Sequence, residues 1–538
     1  MLTPLFITNG TIYTMHADHP IVEAMAIDRE SGKIIATGSA KDVQTTIGIY
    51  SAVTTYDLQG KTVLPGLIDA HTHIFSAACA SIEIDLSSCQ SEAMAADLVG
   101  ERAATTPKGE WIVGRHWNQN HWPGAAFPTR ASLDAVTPDH PVALWTHSEH
   151  AIWINSLALQ RAGISAATID PAGGQISRDD TGEPTGMLFE GAAWVIAAIL
   201  AAENESNERS LEATYQLMAA FAERGLTMVY TMEGERSLKM LQKLRGRYGA
   251  LPVRVGYYVP VNQLESLLSL GIEAGFGDEY MWLSGIKIFM DGALGTRTAA
   301  MLAPFNDDYT NKGLLTTPAD MLERYLAGAI RGNLGVAIHA IGDRAVRVAI
   351  DGIEEAQNRR EQQQPLRRFR IEHVQLADQV DLTRMARLGI AASVQPFHAV
   401  SDRTIADTLW GARAATGYAY GTMAKMGIPL ALGSDTPIET ADPWRILHAA
   451  IARTDDVTPM LPPWHVGQAL TPSQALLGYT AGAAWSGGDE HRFGRLIPGH
   501  YGDCVIIATD PLHTTINEWP TLPIQATIMG GKVTAGKL

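Results

Sequence analysis

Residues 63–75 read VLPGLIDAHTHIF, and the rest of the chain can be organised around them. The stretch opens as a β-branched and apolar run, breaks at Pro65-Gly66, and ends in His71-Thr72-His73. Side chains at i and i+2 of an extended segment point to one face. The two imidazoles therefore converge as two ligands of one metal ion would. Two surface histidines in a loop are the alternative, and a bare His-x-His is common by chance. Position favours the metal: the pair ends a buried strand, where barrel enzymes gather their chemistry.

With 538 residues the chain is too long for one small domain and can bury a large core. Its hydrophobic fraction of 46% and charged fraction of 18% are those of an ordinary globular protein. A net charge of −16 argues against a nucleic-acid partner, because no basic stripe is available to neutralise phosphates. The N-terminal MLTPLFITNGTIYTM has neither a basic region nor a sustained apolar core, so no signal peptide is expected. The longest apolar run, residues 192–202, is well short of a membrane span. Cys79, Cys89 and Cys504 form no disulfide framework and have no zinc-ribbon spacing. A cytoplasmic protein with no membrane partner is the expectation.

Residues 1–60 read as short strands separated by turns, and residues 491–538 read the same way. Both ends are therefore expected to build one small β-sandwich, with a larger domain at 61–490 inserted between them. Within that domain, apolar strand candidates alternate with helical patterns: 63–69, 227–230, 253–259, 285–290, 335–339, 369–372, 391–394 and 429–432. Eight such units predict an α/β fold, a (β/α)8 TIM barrel. Residues 76–205 lack the alternation and carry six of the twelve tryptophans, so they are expected to form a large insertion after strand 1, on the catalytic face.

The strand ends carry the chemistry. Lys287 stands between Ile286 and Ile288 in the fourth strand (GIKIFMDGALGTRTA), and a buried lysine there needs a partner or a modification. His339 ends the fifth strand (VAIHAIGDRA), His373 the sixth (FRIEHVQ), and Asp435 follows the eighth (LALGSDTP). Each alone is better explained as a satisfied polar group. Together with His71 and His73, on five strands of one barrel, they point to a metal site.

These motifs resemble the amidohydrolase superfamily, over essentially the whole chain. Within it the chain is similar to the family 3 branch, the group resembling N-substituted formamide deformylases. The resemblance implies that His71, His73, Lys287, His339, His373 and Asp435 hold one or two divalent ions, with zinc expected. It also implies that Lys287 can be carboxylated by CO2 and bridge two ions. Burial makes that chemistry accessible, because it lowers the lysine pKa and exposes a neutral amine. Water on such an ion has its pKa lowered to ~7. Asp435 would serve as the base during attack and then as the acid for the leaving nitrogen.

Other residues are candidates for the substrate. Arg297 in the GTRTA turn can bind a substrate carbonyl or acid, or pair with Asp291 or Asp343 to hold its loop. His150 in HSEHAIWINS is similar to a family segment that reaches the active site, although Ser148-Glu149 departs from the expected Asp-Gly. Trp117 and Trp122 in GRHWNQNHW either line a pocket or form the insertion's own core.

The expected activity is metal-dependent hydrolysis of a non-peptide carbon–nitrogen bond in a small molecule, a linear amide or N-substituted formamide. A cyclic amide or an ester on the same scaffold is the near alternative. A catalytically silent regulatory or binding protein is the alternative of another class, and the complete set of six ligand residues argues against it. The sequence leaves a homo-oligomer, such as a dimer, open.

Overall fold

The apolar run at 63–75 is cut in two at Gly66, and each half joins a different sheet. Thr62–Pro65 pairs antiparallel with Cys504–Ile507 and parallel with Thr11–Tyr13. Leu67–Thr72 lies parallel to Leu226–Met232. The single strand expected at 63–69 is thus two strands. Only glycine fits the joint: a Cβ on residue 66 would fall 2.1 Å from Thr227 Oγ1. The Gly66 N–H donates to the Asp503 carbonyl (2.9 Å), which fixes the switch between sheets.

The structure is a computed structural model that describes residues 3–119, 122–146, 151–171, 174–204, 208–359, 367–456 and 461–538. Its central element is an eight-stranded parallel sheet in sequential order. The strands are β1 (Leu67–Thr72), β2 (Leu226–Met232), β3 (Arg254–Pro260), β4 (Met281–Phe289), β5 (Gly335–Ala340), β6 (Phe369–His373), β7 (Ala391–Val394) and β8 (Leu430–Leu432). All eight expected segments contribute strands to this barrel, the first through its second half only. Closure comes from the residues beyond β8, which is only three residues long. Thr72 and Thr436 form a parallel bridge, Asp435 N–H donates to His71 O (2.8 Å), and His73 N–H donates to Thr436 O (2.9 Å).

Helices follow the strands, and their apolar faces explain why they lie against the sheet. Ala319–Arg331 buries Leu322, Leu326 and Ala329 at a spacing of four and three residues. Asp320 in its first turn and Arg331 in its last complement the helix dipole.

Strands from both chain ends form two further sheets, one of four strands and one of six. They share a core that includes Leu5, Ile7, Met25, Ile27, Val63, Ile506 and Ile528. A buried ion pair joins this sandwich to the barrel: Arg254 on β3 donates to Asp503 at 2.6 Å and 3.0 Å.

By its contacts the chain divides into two units, Met1–Ile74 with Tyr215–Leu538, and Phe75–Thr214. The second unit holds a mixed six-stranded sheet with helices, which accounts for the missing strand–helix rhythm at 76–205.

The joint at Gly66 makes a direct prediction. Gly66→Ala should lower the thermal unfolding midpoint, with an overpacking cost of about 1–3 kcal/mol. Adding Thr227→Ala should restore only part of it, because the Thr227 Cβ itself stands 2.7 Å from the new methyl. An unchanged midpoint in the single variant would contradict the close approach.

Candidate metal centre

The C-terminal ends of the barrel strands bring six expected residues into one buried cluster. His71 is the penultimate residue of β1, and His73 follows the strand directly. Their ring centroids are 5.3 Å apart, and each Nε2 faces the same oxygen, Asp435 Oδ1, at 3.3 Å and 3.2 Å. His373 at the end of β6 packs 5.1 Å from the His71 ring and 4.5 Å from the His339 ring. The donor atoms of His71, His373 and Asp435 all lie within 4.8 Å of one another. Lys287 is buried in β4, and its charge acts on His71, His73, His339 and His373 alike.

Two of these residues reach the site by leaving ordinary strand geometry. His373 has φ 75° and Asp435 φ 61°. The left-handed region is uncommon for side chains of this size and is found where surrounding structure imposes it. The turn at His373 lets two consecutive residues, Glu372 and His373, serve one site, which strict alternation would forbid.

A buried chain of charge orients His71. Glu372 accepts from His71 Nδ1 at 2.7 Å and is itself gripped by Arg370, through Nε at 2.5 Å and Nη2 at 3.0 Å. Arg370 also donates to Ser393 Oγ (2.7 Å) and Ser486 Oγ (3.2 Å). Burial, then the neighbouring Lys287 charge, holds His71 down to about 4, so the ring is neutral at physiological pH. With Nδ1–H committed to Glu372, its Nε2 lone pair points at a carboxylate oxygen. Two acceptors face each other across 3.3 Å, an arrangement that a cation between them would stabilise. Buried His373 Nδ1 has no protein hydrogen-bond partner among the described residues. The donor set of imidazoles and a carboxylate therefore fits a borderline divalent ion.

The profile of the amidohydrolase family matches residues 54–535. The chain belongs to the amidohydrolase family. It is 31% identical to the protein LONG AFTER FAR-RED 3 of Arabidopsis thaliana, across 99% of this chain and 91% of that protein. It is 27% identical to the N-substituted formamide deformylase of Arthrobacter pascens, across 98% of this chain and 97% of the enzyme. An uncharacterized metal-dependent hydrolase from Pyrococcus horikoshii OT3 superposes with a TM-score of 0.82 at 28% identity, covering 96% of this chain and 100% of that one. This amidohydrolase is accordingly a metal-dependent hydrolase of small molecules that uses a divalent ion.

Lys287 and His339 have more specific surroundings in the amidohydrolase. Among the described residues, Lys287 Nζ has only the Met232 thioether within hydrogen-bonding distance (3.4 Å), and it lies 5.1 Å from the Phe289 ring centre. Burial lowers its amine to about 8, against the opposing pull of Glu372 and Asp435. His339 Nε2–H donates to the Gly292 carbonyl (3.1 Å), which leaves Nδ1 as the lone pair of that ring.

Besides Glu372, one participant was missed in the sequence: His398, four residues beyond β7. Its Nε2 lies 3.1 Å from Asp435 Oδ2 and its Nδ1 3.2 Å from Glu439 Oε1. Burial works against a charge on Asp435, but His71, His398 and His73 more than offset it and keep the carboxylate ionised well below its usual range. The available signal was a histidine soon after one of the three strands that had contributed no candidate.

The other candidates lie elsewhere. Arg297 is 45% exposed and pairs with Asp307 through Nε (3.0 Å) and Nη2 (2.6 Å). Neither expected partner is used: Asp291 accepts the N–H groups of Ala300, Ile341 and Gly342, and Asp343 accepts that of Leu302. Trp117 and Trp122 stack at 5.4 Å within the insertion's own core, beside Trp153. Their indole N–H groups donate to the carbonyls of Leu144 and Cys89, both at 2.8 Å. Trp117 has no exposed surface with which to meet a substrate. His150 lies outside the described residues.

Glu372→Gln keeps an acceptor for His71 but removes the charge that Arg370 clamps. The variant should bind zinc about 10–100-fold more weakly in chelator competition, the usual cost of losing a ligand's hydrogen-bond support. Unchanged affinity would show that Glu372 does not orient His71.

Proposed function

We propose that this amidohydrolase cleaves a carbon–nitrogen bond other than a peptide bond, in linear amides that include N-substituted formamides. The observation that carries the reading is Asp435, placed between His71 and His73 on Oδ1 and the His398 donor on Oδ2. A neutral amide is a poor electrophile and its amine a poor leaving group, so the reaction needs both activated water and a proton donor. The similarity to an N-substituted formamide deformylase supports the same bond class.

A bound divalent ion supplies water that is ionised near neutral pH and polarises the scissile carbonyl. His71, His73, His339, His373 and Asp435 would hold it, with zinc favoured by the nitrogen-rich donor set. Lys287 would add a bridging ligand for a second ion after its neutral amine takes up CO2 and loses a proton. An amine at about 8 leaves an appreciable neutral fraction for that step. Asp435 is ionised and can take the proton of the attacking water, then return it to the departing nitrogen. His398, backed by Glu439, holds the carboxylate in one orientation while it does so.

Among the described residues no helix is long and apolar enough to cross a membrane. The three cysteines are free, which fits the reducing cytoplasm as the place of action.

The deciding experiment is a turnover screen of zinc-reconstituted protein on N-substituted formamides, acyl amines, cyclic amides and aryl esters. Hydrolysis of linear amides is expected. Selective turnover of cyclic amides or esters would move the substrate class, and silence on every class would favour a binding protein. Within that assay, Asp435→Asn should retain zinc and the fold but lose at least ~10²-fold in kcat, the low end for a general acid–base. KM should change little if the carboxylate acts in the transition state. Wild-type kcat across the neutral range would exclude Asp435 as the base.

A further inference from the structure

Phe289 is the last residue of β4, in a strand end otherwise closed to solvent: Ile288 and Met290 on either side are fully buried, yet Phe289 is 49% exposed. Scattered exposed apolar residues are ordinary and call for no explanation. Three observations set this one apart. Two residues after Lys287, it shares that side chain's face of the strand, and its ring packs 5.2 Å from the His339 ring with a 37° tilt. It is paired in register with His339 itself. Its carbonyl is held by two hydroxyls, Thr316 Oγ1 at 2.8 Å and Thr317 Oγ1 at 2.6 Å, so the exposed ring sits on fixed backbone.

The place of β4 in the barrel gives this ring a direction. The sheet runs β1 to β8 in order and closes between β8 and β1, so β4 stands four strands from β8 either way round. Phe289 and Asp435 therefore lie on opposite sides of the mouth, with the histidines between them. The nitrogen that takes its proton from Asp435 must lie on the β8 side. An amide bound across the centre then directs its acyl substituent towards β4.

The geometry points to Phe289 as an aromatic subsite for the acyl group of the substrate, selecting amides whose acyl part carries an aryl or bulky apolar group over formamides. This rests on the amide-hydrolase reading and narrows it, since a formyl group has no substituent to reach the ring. An aryl group can stack on an exposed aromatic face at the offset or edge geometries such pairs prefer.

The test compares amides that share one amine, N-benzylformamide and N-benzyl-2-phenylacetamide, on zinc-reconstituted wild type and Phe289→Ala. Binding of phenylacetate and of acetate is measured alongside by calorimetry, and Phe289→Leu serves as the conservative variant. Wild type should favour the phenylacetamide, and Phe289→Ala should lose about tenfold or more in kcat/KM for it with little change for the formamide, as expected for a lost apolar contact. Phenylacetate binding should weaken in parallel, acetate binding should not, and Phe289→Leu should recover part of both. Equal losses on the two amides, or a wild type that favours the formamide, would overturn the subsite. A wild type silent on both amides and on the wider panel of linear amides, but binding phenylacetate through Phe289, would uphold the subsite and refute the amide-hydrolase reading.

Discussion

The architecture depends on two acceptors forced to face each other. Neutral His71, its Nδ1–H given to Glu372, turns the Nε2 lone pair towards Asp435 Oδ1 at 3.3 Å, inside a barrel from which water is largely excluded. A buried carboxylate oxygen facing the lone pair of a neutral imidazole is costly unless a cation lies between them. The Arg370–Glu372 pair cannot serve, because its charges satisfy each other. His398 and His73 help to keep Asp435 ionised, and a divalent ion would resolve the clash of its Oδ1 with the His71 lone pair. The left-handed turns at His373 and Asp435 are the backbone's contribution to holding these groups together.

The same economy governs how the barrel closes. β8 has three residues because the chain must turn at once to present Asp435, and closure passes to backbone bonds on either side of the site. Asp69 ties the two ends further: its Oδ1 accepts both the His71 N–H and the Ser434 N–H at 3.0 Å. The strands that seal the barrel are therefore also those that present His71, His73 and Asp435. Structural and catalytic demands meet in the same few residues.

Much of this was legible in the sequence, for a physical reason. Parallel strands buried on both faces are continuous apolar runs, so all eight stood out, and polar residues at their ends were conspicuous. The break at Pro65-Gly66 was visible, but not that its two halves join different sheets, because apolar residues continue on both sides of it. Glu372 was passed over because strand alternation assigns it and His373 to opposite faces, and only the turn at His373 reconciles them. His398 lay beyond its strand, on a short helix, where no periodicity marks it. Trp117 and Trp122 show the limit of composition: an aromatic-rich stretch does not reveal whether its rings face a ligand or one another. A loop pairing of Arg297 was one of two readings, with Asp291 or Asp343 as partner; Asp307 lies ten residues along a loop that carries no periodic pattern.

The central claim is that this histidine–carboxylate cluster binds a divalent metal. Its most direct test is a crystal structure of the zinc-reconstituted protein with anomalous diffraction recorded at the zinc edge. The account predicts anomalous density bounded by His71, His373 and Asp435, with His73 and His339 turned towards it and electron density extending past Lys287 Nζ. Protein that takes up no stoichiometric metal, or density only at sites remote from these residues, would contradict it.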